Sequence, residues 1–462
     1  MENFWDYSVW STFLLIGILL SSLLLANIIK KNIPFMQESL IPSSVLGGAL
    51  LLILSGIIKA ITGSGLFEAA VFGGKAYATL EMLTYHTLAL GFIASTFKSS
   101  DQKLSKKRAA EIFNTGVNTV STYLLQAVVG FSITIIASFV IKDFFKAAGI
   151  LLPFGYGQGT GQAMNYGNIY ETDYGFGGGK SFGLTIAALG FLSASIGGVI
   201  HLNILKHKGL LKKSAAKDHL NTEKIEAENE IPMQESMDKM TVQIALIAVS
   251  YILSYLMMVF LGTLLPSMRS VIFGFNFLLG VLAATLVKAV LNLLKKIHWR
   301  KKEYTNDFLM TRASNFFFDL MVVAGIAAIR LDVLEKYWGI MLILGVAGLI
   351  ITYAYNHLTA KLLFPEYPQE QFLTMYGMLT GTASTGIILL REIDGDFKTP
   401  AADNMVYQNF PAIVFGFPLM LLATLAPQKP YLTLILLVAF FIVMNLILFR
   451  SFIFKKNKKT TA

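Results

Sequence analysis

Two stretches of this chain concentrate small and polar groups within an otherwise apolar sequence. The first, 151–180, reads LLPFGYGQGTGQAMNYGNIYETDYGFGGGK, and the second, 372–400, reads FLTMYGMLTGTASTGIILLREIDGDFKTP. Both are too polar and glycine-rich for an ordinary membrane-spanning helix, and their apolar starts do not suit a plain loop. Glycine and small hydroxyl residues fit a tip where carbonyls, N–H groups and hydroxyls must approach a small solute closely. Non-helical backbone at membrane depth is tolerated only when it is buried in protein or lines a wet cavity. Each stretch therefore reads as a re-entrant hairpin, against the plainer alternative of a glycine-rich surface loop. Gln158, Gly159, Thr160 and Gly161 stand at the first tip, and Gly381, Thr382, Ser384 and Thr385 at the second. An anionic solute needs a cationic partner, and Arg binds carboxylate bidentately. Arg391, beyond the second tip, is either that partner or an interfacial cation paired with Glu392 or Asp394.

The rest of the chain must hold these tips in a membrane. Of its 462 residues 55% are hydrophobic and only 14% charged, with a mean hydropathy of +0.61. A soluble domain carries about 25% charged residues, so the composition points to an all-α polytopic membrane protein. The net charge of +10 then marks cytoplasmic loops and not a nucleic-acid surface. The absence of cysteine excludes disulfides, Cys-ligated zinc, Fe–S clusters and a catalytic thiol. The first ten residues contain Glu2 and Asp6 but no Lys or Arg, which favours a retained first helix over a secretory signal.

Apolar runs long enough to cross a bilayer lie near 9–29, 41–60, 80–97, 112–141, 181–204, 241–263, 271–294, 314–330, 338–358, 404–425 and 431–449, predicting about eleven spans. Basic residues gather in alternate loops, as in Lys103, Lys106, Lys107 and Arg108, or Lys295, Lys296, Arg300, Lys301 and Lys302. The positive-inside rule puts those loops in the cytoplasm, the N-terminus outside and the C-terminus inside a cell membrane. Residues 206–240 are polar and balanced in sign, and read as a cytoplasmic linker. They separate a first five-span half, 1–205, from a second, 241–426; residues 427–462 add a further span and a basic tail.

Five is odd, so the halves enter the membrane from opposite sides. They also share local patterns. Pro42-Ser43 matches Pro266-Ser267 at an offset of 224, and Gly159-Thr160 matches Gly381-Thr382 at 222. Two matches at nearly one offset support two inverted repeats, each with a hairpin, an architecture of many secondary transporters.

Several residues within the spans carry two readings. Asp319 is a coupling-ion ligand, for Na⁺ in particular, or a boundary carboxylate. His86 is a hydrogen-bonded structural residue or a proton-coupling one. Asn118, Gln126, Asn276 and Asn356 read as interhelical glue. Lys288 reads as a snorkelling cation. Gln408 and Asn409 precede Pro411, which frees a carbonyl there, and Asn409 is taken as a second Na⁺ ligand. Gly155-Tyr156-Gly157 has the letters of a K⁺-channel filter, but such filters come from four identical loops around one axis. No nucleotide loop and no hydrolase or zinc-protease pattern is present.

Taken together, these segments resemble the bacterial sodium/glutamate symporters, with the 2-hydroxycarboxylate carriers as more distant relatives. Ile41-Pro42 followed by Val45-Leu46-Gly47-Gly48 is similar to that family's Ile-Pro-Glu-Pro-Val-Ala-Gly-Gly. Gly157-Gln158-Gly159-Thr160-Gly161 is similar to its Gly-His-Gly-Thr-Gly tip, with Gln158 in place of the histidine. Tyr174-Gly175-Phe176, Ile196-Gly197-Gly198, Gly381 with Thr385, and Pro411 extend the resemblance over roughly residues 1–426. The second hairpin has fewer glycines than the family pattern, Asp319 stands where the family has a small polar residue, and the linker and last span are additions. The resemblance implies Na⁺-coupled uptake of glutamate or a related small carboxylate, with one substrate site between the hairpins. It further implies a homodimer, each copy with a scaffold part and a moving transport part. No reaction is expected and no cofactor beyond the transported Na⁺.

Overall fold

A computed structural model describes residues 3–97, 105–209, 237–296, 305–395 and 398–453. Most of the predicted linker and the basic tail lie outside the described residues. The described chain is helical and contains no strand. The main helices are α1 (Tyr7–Asn32), α2 (Ser43–Thr62), α3 (Ala76–Thr96), α4 (Lys106–Val140), α5 (Leu151–Tyr174), α6 (Gly179–His207), α7 (Lys239–Leu264), α8 (Asn276–Lys296), α9 (Asp307–Ala327), α10 (Trp338–Leu363), α11 (Pro368–Thr380), α12 (Ala383–Arg391), α13 (Ala401–Tyr407), α14 (Asn409–Leu425) and α15 (Pro430–Leu448).

Local chemistry sets several of their starts. The Ser105 hydroxyl accepts from the Arg108 N–H at 3.2 Å to open α4, and Asn306 Oδ1 accepts from Leu309 N–H at 3.0 Å to open α9. Asp238 caps α7 through the N–H groups of Met240 and Thr241. Proline opens α11 and α15, where its missing N–H costs no helical bond.

Nine of these helices are long and apolar enough to cross a membrane, and a tenth span results if α13 and α14 count as one path broken by a 53° bend. The remaining predicted span corresponds to α3, which carries Glu81 and His86. The protein is an all-α, multi-pass membrane protein. With 35 residues α4 is about 52 Å long at 1.5 Å per residue, well beyond the roughly 30 Å of a hydrocarbon core.

The helices form two compact units, each drawn from both halves of the chain. One gathers most of α1 and α2 with α3, α7, α8 and α9, the first three spans of each half. At its centre, α3 meets α9 where the Gly91 backbone lies against the Phe318 ring and its carbonyl accepts from the Ser314 hydroxyl at 3.0 Å. Gly47 and Gly48 are packing residues there: the first faces the Ser22 backbone on α1, the second Ile326 on α9. His86 pairs with the Tyr251 hydroxyl at 2.6 Å, and Asn276 donates to the Tyr85 carbonyl at 2.9 Å. The other unit gathers α4, α5, α6 and α10 to α15. It contains both predicted hairpins.

Candidate functional site

Within α5 the rings of Phe154 and Tyr166 stack with centroids 3.9 Å apart. Twelve residues of straight helix would separate them by about 18 Å, so the chain folds back on itself. The reversal falls at Gly159, whose φ of 79° and ψ of −171° belong to a region that only glycine enters readily. Residues 151–158 form one arm and residues 160–174 the other. Gly157 lies against the Tyr123 ring, and the Tyr123 hydroxyl donates to the Gly157 carbonyl at 3.1 Å.

The second reversal joins α11 to α12 at Gly381 and Thr382. The arms touch through glycine, the Gly377 face meeting the backbone of Gly386. Thr382 caps α12: its hydroxyl accepts from the Thr385 N–H at 3.3 Å and lies 3.1 Å from the Thr385 hydroxyl. This hairpin begins at Pro368 and its second helix ends at Arg391, earlier at both ends than the predicted 372–400.

One turn of α6 receives both hairpins. The Tyr156 hydroxyl of the first donates to the Gly345 carbonyl at 2.6 Å and lies 2.9 Å from the Ser193 hydroxyl. The Tyr376 hydroxyl of the second donates to the Ser193 carbonyl at 2.7 Å. Gly190 faces both Tyr156 and the Thr380 carbonyl, and Gly381 faces Ala194. Gly197 and Gly198 seat the second hairpin further along, beneath Tyr376 and Leu389. The two tips are thus brought to one level of one helix.

The breaks create helix ends within the protein. The arm beginning at residue 160 and helix α12 present N-terminal N–H groups, which favour anions. The arm ending at residue 158 and helix α11 present C-terminal carbonyls, which favour cations. Gly159, Thr160 and Gly161 are buried, Gln158 is half-buried, Gly381 and Thr385 are buried, Thr382 is half-buried and Ser384 is exposed.

Three predicted residues stand apart from the tips. Arg391 is an exposed residue at the end of α12, about 13 Å along the helix from Thr382 at 1.5 Å per residue. Asn409 opens α14 after the bend, where its side chain is exposed and its Oδ1 accepts from Gln408 Nε2 at 3.3 Å. Asp319 belongs to α9 in the other compact unit. It lies deeper in its helix than the span 314–330 suggested, because α9 begins at Asp307 and makes Asp319 its thirteenth residue.

Other functional candidates escaped the sequence reading. Tyr156, Tyr376 and Ser193 tie the tips together, and nothing in their local pattern signals it. His201 on α6 is buried at the base of the second hairpin, 2.8 Å from the Tyr353 hydroxyl and 2.8 Å from Gln369 Oε1. After the second hairpin, Asp394 is 8% exposed. Burial alone would raise its pKa, but bonds from the Thr399 hydroxyl and the N–H groups of Thr399 and Lys398 outweigh this and hold the carboxyl below its ordinary value. No protein-family model and no curated protein matches this chain, which leaves the paired hairpins as the feature from which a function is read.

Proposed function

We propose that the protein is a secondary active transporter, a Na⁺-coupled symporter of glutamate or a related small carboxylate or amino acid. The single observation that carries this reading is the pair of broken hairpins held at one level of α6 by Tyr156, Tyr376 and Ser193. Paired helix N-termini suit the carboxylates of such a solute, and paired C-terminal carbonyls suit the coupling ion. Thr160, Gly161, Thr382 and Ser384 contact substrate in this reading, with Gln158, Gly159, Gly381 and Thr385 shaping the tips. Arg391 serves the approach of the anion. Asn409 in the hairpin unit and Asp319 in the unit around α3 are each taken as an oxygen ligand of Na⁺, within its own unit. The hairpin unit is the moving part, the unit around α3 is the scaffold, and two copies form the working dimer. The resemblance to sodium/glutamate symporters and the charge asymmetry of the loops support the same reading, with the N-terminus outside.

A proton-coupled carrier of another organic anion is the second reading. It would use His86, paired with Tyr251, or Asp319, and buried His201, hydrogen-bonded to Tyr353 and Gln369 at the base of the second hairpin, is a further candidate. Reconstitution in liposomes separates the two. Labelled glutamate, aspartate, citrate, malate and pyroglutamate are offered under imposed Na⁺ or H⁺ gradients. Na⁺-driven accumulation of one of them is expected. Uptake driven by a pH gradient alone would replace the first reading with the second.

A further inference from the structure

Four buried amides of the hairpin unit, Asn118, Gln126, Asn404 and Gln408, have engaged nitrogens and an oxygen left over, whereas Gln162 shows the reverse. Hydrogen-bond logic fixes their orientation. The Thr115 hydroxyl donates its only proton to the Glu111 carbonyl at 2.8 Å, so it can only accept from Gln371 Nε2 at 3.3 Å. Gln371 Oε1 must then face Asn404, whose Nδ2 donates to it at 3.2 Å and also lies 2.9 Å from the Tyr367 hydroxyl. Asn404 Oδ1 is left without a donor. One turn further along α4, Asn356 Nδ2 is committed to the Thr352 carbonyl at 3.0 Å, so its Oδ1 faces Asn118 Nδ2 at 2.9 Å. That leaves Asn118 Oδ1 without a donor. Higher again, Gln126 Nε2 donates to the Leu379 carbonyl at 3.0 Å, which can only accept, and Gln126 Oε1 is left over.

Flipping any of these amides would set acceptor against acceptor. All three residues are 2% exposed or less. A fourth buried oxygen without a donor, Gln408 Oε1, stands one helical turn from Asn404. Buried amide and carbonyl oxygens with no protein donor suit a small monovalent cation. The seam rises along α4 from Thr115 to Gln126, eleven residues or about 16 Å at 1.5 Å per residue. It runs from Gln371 near the base of the second hairpin to Leu379 near its tip, and Arg108, Glu111 and Asp403 surround its lower end.

We infer that this seam binds Na⁺ along the wall of the second hairpin, with Asn404, Asn118 and Gln126 as successive oxygen ligands from its base towards its tip. The inference rests on the Na⁺-coupled reading for the ion's identity. It gives the coupling ion a path inside the hairpin unit that the solute does not share.

The test is Na⁺-dependent thermal stabilisation of the purified full chain, titrated against choline and K⁺ in the absence of substrate, with gel filtration as a check on folding. Asn404→Leu and Gln126→Met should each raise the half-maximal Na⁺ concentration about tenfold, the usual scale for loss of one metal-site group. Asn404→Asp, which adds charge at the same place, should lower it. Choline and K⁺ should not replace Na⁺. An unchanged Na⁺ midpoint in the folded variants, with raised stability in Na⁺-free buffer, would overturn the inference, because the oxygens would then merely be unpaired or water-bonded. Should one variant fail to fold, the other two decide. Uptake measured in parallel keeps the two readings distinct. Na⁺-driven uptake with unaltered midpoints defeats the seam alone, whereas shifted midpoints without Na⁺-driven uptake defeat the symport reading alone.

Discussion

The two hairpins solve one problem in different ways. The first reverses on a single residue, Gly159, in a backbone conformation closed to other side chains, and its tip is almost wholly buried. The second reverses through Gly381, whose φ is −134°, and a threonine cap, and it leaves Ala383 and Ser384 exposed. The first is a fixed wall set by backbone geometry. The second is held by a side-chain cap, the Thr382 hydroxyl on the Thr385 N–H, with the two threonine hydroxyls 3.1 Å apart. The difference makes the second tip the more accessible of the two.

The largest effect should come from Gly159→Ala. A side chain at that φ and ψ costs about 1–3 kcal/mol and displaces the tip, so uptake should be lost and the unfolding temperature lowered. Gly381→Ala should do less to stability, since its φ is negative and the cost is crowding: an added Cβ meets the Gly377 carbonyl and the Thr385 hydroxyl at 3.0 Å and Ala194 at 3.2 Å. Equal losses of unfolding temperature in the two variants would break the comparison.

Thiol labelling sharpens it. The chain has no cysteine, so Thr160→Cys and Thr382→Cys are each labelled against a silent background. Position 382 should react faster, because Thr160 is fully buried and Thr382 is not. Saturating substrate should protect both, and each should be reachable from either side of the membrane during turnover. Labelling of each from one side only, indifferent to substrate, would reduce the hairpins to loops.

A smaller effect is expected of Tyr376→Phe, which removes the bond to the Ser193 carbonyl. About 1 kcal/mol of stability should go, with substrate affinity falling more than the maximal rate. Smallest is the acid response of the second hairpin's exit. The Asp394 carboxyl is depressed in the folded protein, so its contribution is present above the unfolded pKa and is lost as pH falls through the lowered folded value. Asp394→Asn should therefore lower stability at neutral pH and flatten its decline in acid, as followed by thermal unfolding between pH 7 and about pH 3.

Much of the fold was legible because apolar runs and glycine clusters are local signals. The helices observed at Ser43–Thr62, Gly179–His207 and Trp338–Leu363 lie within a few residues of their predicted spans. The start of α9 was missed because Asp307 and Arg312 depress the hydropathy of a turn that Asn306 nonetheless caps into helix. Both reversal points were legible in Gly-Thr steps. The interlock of Tyr156, Tyr376 and Ser193 was not, since its members lie in three helices and have no motif of their own. The amides of α4 were read as glue, and Asn118 and Gln126 do bind α10, but their spare oxygens emerge only once each proton is assigned.

The shared turn of α6 has a further consequence. Both tips are referred to one residue, Ser193, through two rigid aromatic rings that cannot stretch. On the proposed symport reading, the spacing of the tips is then a gauge of nearly constant width, and a solute gripped at both ends would be measured by length before it is judged by charge. A dicarboxylate one methylene too long or too short would lose one grip or strain the other. In a hydrophobic pocket a single methylene distinguishes ligands by about 1–3 kcal/mol; a gauge with a polar grip at each end turns the same small difference into a missing hydrogen bond.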